Sequence, residues 1–144
     1  MMLKWDHRYE LGHARIDAEH RLFLGLIVDF HESIARAAST DELVRILREI
    51  SKYAAYHFVN EEEVMAACDY PERKQHAQLH RALLAELDDK LSHHVLDGTT
   101  PDKVFEFLFR WFALHTSRED KKLVSYIENG ADRSDASGTP DALT

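Results

Sequence analysis

The chain has 144 residues, 44% hydrophobic and 31% charged, with a net charge of −8 when its 10 histidines are neutral. This length suits one domain around one core, and the balance is that of a globular chain. The acidic surplus leaves too few Lys and Arg to neutralise a phosphate backbone, which excludes nucleic acid as a main partner and disfavours an anionic membrane surface.

The longest apolar run, LFLGLIV at 22–28, is too short to span a bilayer, and MMLKWDHRYE at the start holds no apolar leader. The single cysteine, Cys68, allows no intrachain disulfide. These features predict a cytoplasmic protein.

Residues 1–16 space Trp5, Tyr9, Leu11 and Ile16 irregularly and read as an arm packed on the body. Asp17 can cap a first helix to about Ala38, burying Leu22, Phe23, Leu26, Ile27, Phe30 and Ile34 at intervals of three and four. Ser39 with Glu42 forms a capping box for a second helix to about Ala67, which buries Leu43, Ile46, Leu47, Ile50, Ala54, Phe58 and Met65. Pro71 suits the first turn of a third helix ending near Leu96, before Asp97-Gly98. Thr100-Pro101 opens a fourth, strongly apolar helix that stops at Asn129-Gly130. The small polar residues of 131–144 read as a disordered tail. The expected fold is all-α: one domain over 1–130, an up-down-up-down antiparallel four-helix bundle with an N-terminal arm and a short C-terminal helix or tail.

Antiparallel packing brings half of the histidines to one end. His20 starts the first helix and His57 lies late in the second, with Glu61 four residues on. His76 and His80 start the third, and His115 lies late in the fourth, followed by Asp120. Residues four apart share a helical face. Five imidazoles and two carboxylates are too many ligands for one ordinary metal and suit two, bridged by the carboxylates. With three histidines on one metal and two on the other, the second keeps a vacant position. The five-residue step from His115 to Asp120 is about 500° of ideal helix, which leaves the pair about 140° apart. A π-bulge near 115–120 would align them.

Other polar groups carry weaker signals. Glu62 and Glu63 read as solvent-facing. His7, His13, His31, His93 and His94 have no partner at ligand spacing and read as surface groups, and Cys68 as an inert, partly buried thiol. Phe58, Trp111, Phe112 and Phe23 are core residues close enough to the ligands to serve also as pocket walls.

The joint pattern WDHRYELGHARIDAEH, HFVNEE, HAQLH and WFALHTSRED resembles the hemerythrins, in their bacterial single-domain form, over about residues 5–127. The resemblance implies a non-haem di-iron centre. His76, His80 and His115 would hold one iron, and His20 and His57 the other, which carries the open site. Glu61 and Asp120 would bridge them beside a solvent-derived oxo or hydroxo group. It implies reversible O2 binding for storage, delivery or buffering, with each ferrous ion supplying one electron to O2. The chain departs from the family where leucine and isoleucine are usual, with Phe112 and Thr116. If both line the O2 pocket, the Thr116 hydroxyl admits water and hastens autoxidation. That departure motivates a rival reading, a di-iron enzyme acting on peroxide, nitric oxide or O2. A third reading is an O2 or redox sensor, against which the tail after Gly130 is too short for a signalling domain.

Overall fold

The computed structural model describes residues 5–91 and 100–137. The helices are α1 (Ala14–Ala35), α2 (Thr40–Ala67), α3 (Arg73–Asp89), α4 (Pro101–His115) and α5 (Lys121–Ser137). A π-helical turn, Thr116–Asp120, joins α4 to α5 without a break in helical backbone. No strand occurs among the described residues. α1 packs on α2 and on α4, and α2 on α3, which makes the expected four-helix bundle, with α4, the π turn and α5 forming the fourth rod.

Local chemistry sets the boundaries. α1 begins three residues before Asp17, because His13 is the cap: its Nδ1 accepts from the Ile16 amide at 3.2 Å. Asp17 ties the arm instead, its carboxylate accepting from the Leu11 and Gly12 amides at 2.9 and 3.1 Å. Gly12 makes that corner at φ +97°, a conformation costly for any side chain. α1 ends at Ala35 rather than Ala38, since Ala37 is left-handed and the Ala38 amide donates back to the Ser33 carbonyl.

Ser39 caps α2 as expected through the Glu42 amide at 3.2 Å. The return half of the box is missing, because the Glu42 carboxylate takes Arg36 at 2.7 Å. Pro71 lies in the turn before α3, with Glu72 as the cap position. Pro101 is the first-turn proline of α4. The expected stop at Asn129-Gly130 does not occur: Gly130 lacks the positive φ of a terminator, and α5 runs through it. The expected end of α3 near Leu96, the histidines His93 and His94, and positions 138–144 lie outside the described residues.

The core joins Phe23, Leu24, Ile27 and Phe30 of α1 to Leu47, Ile50 and Phe58 of α2, Leu83 and Leu87 of α3, and Leu108 and Phe112 of α4. Leu22 was expected among them but is 61% exposed, and Leu24 takes the inward place. A second cluster of Ile16, Met65, Tyr70, Leu123 and Val124 closes the other side of the polar layer. Trp5 and Tyr9 of the arm pack on the main core.

Candidate metal centre

Among the described residues ten buried polar or charged side chains interrupt the core, and seven of them, His20, His57, Glu61, His76, His80, His115 and Asp120, meet at one level. α1 brings His20, α2 brings His57 and Glu61, α3 brings His76 and His80, and the fourth rod brings His115 and Asp120. All the positions singled out by spacing therefore come together. The π turn is where it was expected, and it closes the five-residue step so that His115 Nε2 and Asp120 Oδ1 stand 3.1 Å apart.

The donor atoms fall into two groups. His76, His80 and His115 form one set with Glu61 and Asp120; His20 and His57 form the other with the same two carboxylates, and within each set the donors lie within 4.8 Å of one another. In the first set, Glu61 Oε1 is 2.9 Å from His76 Nε2 and 3.0 Å from His80 Nε2, and Asp120 Oδ1 is 3.0 Å from His76 Nε2. In the second, Asp120 Oδ2 is 2.9 Å from His20 Nε2, and Glu61 Oε2 is 3.6 Å from His57 Nε2. Each carboxylate thus turns one oxygen to each set.

These contacts are not a satisfied hydrogen-bond network. Both Glu61 oxygens and Asp120 Oδ1 are buried without a well-formed hydrogen bond. The Nε2 atoms of His76 and His80 approach His115 Nε2 to 3.0 and 3.2 Å. Cis ligands each about 2.1 Å from one ion stand about 3.0 Å apart, so the spacing suits a shared metal. Buried, unpaired acceptors are otherwise costly, and imidazole with carboxylate is a donor set that suits iron.

Two further carboxylates orient the rings. His57 Nδ1 donates to Glu19 Oε1 at 2.6 Å, and Asn60 Nδ2 donates to the other Glu19 oxygen at 2.8 Å. His80 Nδ1 donates to Glu62 Oε2 at 2.8 Å. A carboxylate can only accept here, so the proton sits on Nδ1 and the Nε2 lone pair faces inward. Glu62 is therefore not the free solvent group expected, although Glu63 is exposed. Glu19 and Asn60 went unread in the sequence, and Glu62 was read only as a solvent group. Their signal was an acid or amide beside a ligand position, since metal-bound histidines usually donate their second nitrogen to such a group.

Charge in the cluster is mutually set. Burial opposes ionisation of Asp120, but His115, His20 and His76 outweigh it and hold the carboxyl well below its usual range. Burial and the facing Asp120 raise Glu61, while His76 and His80 bring it down on balance. Burial lowers His76, but Asp120 and Glu61 pull it up to about 10. His20 rises for the same reason, against its burial. His57 falls, because burial dominates there.

Aromatic rings line both sides, and Phe58 reaches both, 5.7 Å from His57 as well as against His80. Phe58 stacks on His80 at 3.9 Å and 3°, and Trp111 stacks on His115 at 4.3 Å and 12°. Phe23 lies against His57 at 6.3 Å and Phe112 against His20 at 5.9 Å, with 5.8 Å between Phe23 and Phe112. Thr116 is buried but lines an outer cleft between the arm (Tyr9, Leu11) and Ala113. Of the remaining described histidines, His7 is exposed, His13 is the cap, and His31 lies tilted against Phe105 at 4.4 Å rather than standing free. Cys68 is a half-buried free thiol, raised by burial.

The family model for the hemerythrin HHE cation binding domain matches residues 11–127. The chain is 28% identical over 118 residues to a bacteriohemerythrin of Campylobacter jejuni, covering 78% of this chain and 86% of that one. It is 23% identical over 137 residues to a bacteriohemerythrin of Clostridium acetobutylicum, covering 85% and 99%. It is 24% identical over 118 residues to a myohemerythrin of Riftia pachyptila, covering 82% and 88%.

Proposed function

The chain belongs to the hemerythrin family, whose domain binds a di-iron centre, and from that premise we propose that it binds O2 reversibly for storage, delivery or buffering. The domain is assigned to 1–130, with α5 carrying the helix on to Ser137. His76, His80 and His115 would hold one iron, and His20 and His57 the other, with Glu61 and Asp120 shared between them.

The observation that carries this reading is the unequal division of donors. One set offers five protein atoms and the other four, with the two carboxylates counted in both. The three-histidine set would hold its iron with more protein donors than the two-histidine set, which would leave room there for O2. When bound, the ferrous pair supplies the two electrons that O2 accepts reversibly.

The chain's own residues do the rest. Glu19 and Glu62 keep the His57 and His80 lone pairs aimed inward. Phe23 and Phe112 cover the two-histidine side with apolar surface and exclude water. Phe58 and Trp111 brace the three-histidine rings by stacking, and Phe58, 5.7 Å from His57, also walls the two-histidine side. Among the described residues no helix is long and apolar enough to cross a membrane.

His57→Ala tests the assignment. The variant is expected to retain its helical circular dichroism while losing the open-side iron and O2 binding. Normal O2 binding in that variant contradicts the ligand scheme. One observation favours the rival reading, a di-iron enzyme acting on peroxide, nitric oxide or O2: Thr116, buried beside the ligand His115, also lines a cleft open to the surface. Catalytic turnover of peroxide or nitric oxide by the iron-loaded protein, absent in His57→Ala, would replace the carrier with that enzyme.

A further inference from the structure

A second cleft, of about 290 Å³, lies on the outer seam of α2 and α3 and is lined by Glu62, Met65, Arg73, Lys74, Gln78 and Arg81. Lys74 and Arg81, seven residues apart on α3, lie about 20° apart round the helix, and Arg73, about 80° from Arg81, lines the same cleft. All three are exposed, and none forms an ion pair among the described residues. The nearby Glu72 is occupied by Lys122 at 3.9 Å. In a chain with a net charge of −8 this is a local excess of unpaired positive charge.

The one carboxylate in the cleft is Glu62, whose side chain is 37% exposed and accepts from His80 Nδ1 at 2.8 Å. The cleft is thus a surface point joined by a single hydrogen bond to a residue of the three-histidine set. The other such carboxylate, Glu19, is 12% exposed and stands beside Arg15 at 3.6 Å.

We propose that this seam is the docking face for an acidic one-electron carrier protein, which returns the oxidised iron pair to the ferrous state through Glu62 and His80. The inference rests on the O2-binding reading, because a carrier whose iron autoxidises needs a reductant. The balance is simple. Two reduced carriers each give one electron and leave oxidised, each ferric ion becomes ferrous, and the solvent-derived bridge takes up a proton from water. Overall repulsion between two acidic proteins does not prevent docking, since at physiological salt charges beyond about 8 Å are largely screened and the local patch dominates. Encounters of this kind are small and steered by complementary charge.

The probe is an acidic plant-type [2Fe–2S] ferredoxin. Its binding to the metal-free protein is measured by calorimetry, and its reduction of the diferric protein by stopped flow. Binding and reduction are both expected to weaken at about 0.5 M NaCl and to fall about tenfold or more in the variant Lys74→Glu/Arg81→Glu. Reduction by dithionite should stay unchanged in that variant, as should both ferredoxin readouts in Arg48→Glu/Lys52→Glu, a charge reversal elsewhere on α2. Ferredoxin acting equally on wild type and on Lys74→Glu/Arg81→Glu overturns the proposal. So does a cleft that holds inorganic phosphate but no ferredoxin, which would make it an anion pocket. A protein that fails to cycle O2 yet is reduced through this face defeats the O2 reading alone; one that cycles O2 but ignores the face defeats docking alone.

Discussion

A carboxylate that accepts from the back of an imidazole decides which nitrogen keeps its lone pair and how firmly the ring holds a cation. Glu19 and Glu62 occupy that place for His57 and His80. Glu19→Gln keeps the shape but removes the charge, and its iron affinity on the two-histidine side should drop about 10- to 100-fold, as read by competition with a chelator. An unchanged affinity would show that Glu19 is only a helix contact with Asn60. Thr116 supplies a second single-residue prediction. Its wall of the outer cleft becomes aliphatic in Thr116→Ile, and autoxidation of the oxygenated protein, followed by its absorption, should slow. An equal or faster rate would remove the hydroxyl as the point of water entry.

At the scale of elements the π turn is the critical piece. It lets one rod present both His115 and Asp120 to the same point, which an unbroken α-helix would set about 140° apart. Inserting an alanine after Ser117, which is exposed, should lengthen the step from His115 to six residues, about 600° of helix, and swing Asp120 out of the cluster. Iron stoichiometry should then fall below two per chain while helical circular dichroism persists, and full loading would contradict the geometric account. This turn was legible beforehand because a ligand spacing of five fits no regular helix. The helix count and the core of α2 were equally legible from three-and-four periodicity and the Ser39 cap. The starts of α1 and α3 were not, because His13 is an uncommon cap and a proline marks a first turn or the residue just before it equally well. Leu22 was misplaced because an apolar residue at the edge of a helical stripe can fall on either side of it. Glu19 and Glu62 escaped because an acidic residue next to a ligand looks, in one dimension, like any solvated charge.

Across the whole molecule, buried charge ties folding to metal. The seven clustered side chains sit in the middle of a hydrophobic core, and a ligand that binds only the folded state stabilises it in proportion to the logarithm of its concentration over its Kd. Removing iron should therefore lower Tm, and the metal-free protein should show its own pH dependence. His76 is pulled from an unfolded value of 6.5 to about 10, so its contribution is fully present below about pH 6.5 and is lost as pH rises through about 10. Asp120 is held well below 3.8, so its contribution is present above that value and is lost as pH falls. The Tm of the metal-free protein should decline between about pH 6.5 and 10, whereas the iron form, in which the metal would replace the His76 proton, should not show that decline.

The most direct test of the central claim is the absorption spectrum of the iron-loaded, fully reduced protein, recorded before air, after air and after argon purging. Charge-transfer bands that appear in air and vanish under argon over several cycles are the predicted result. A single irreversible conversion to the diferric form, or no bands at all, would contradict reversible O2 binding.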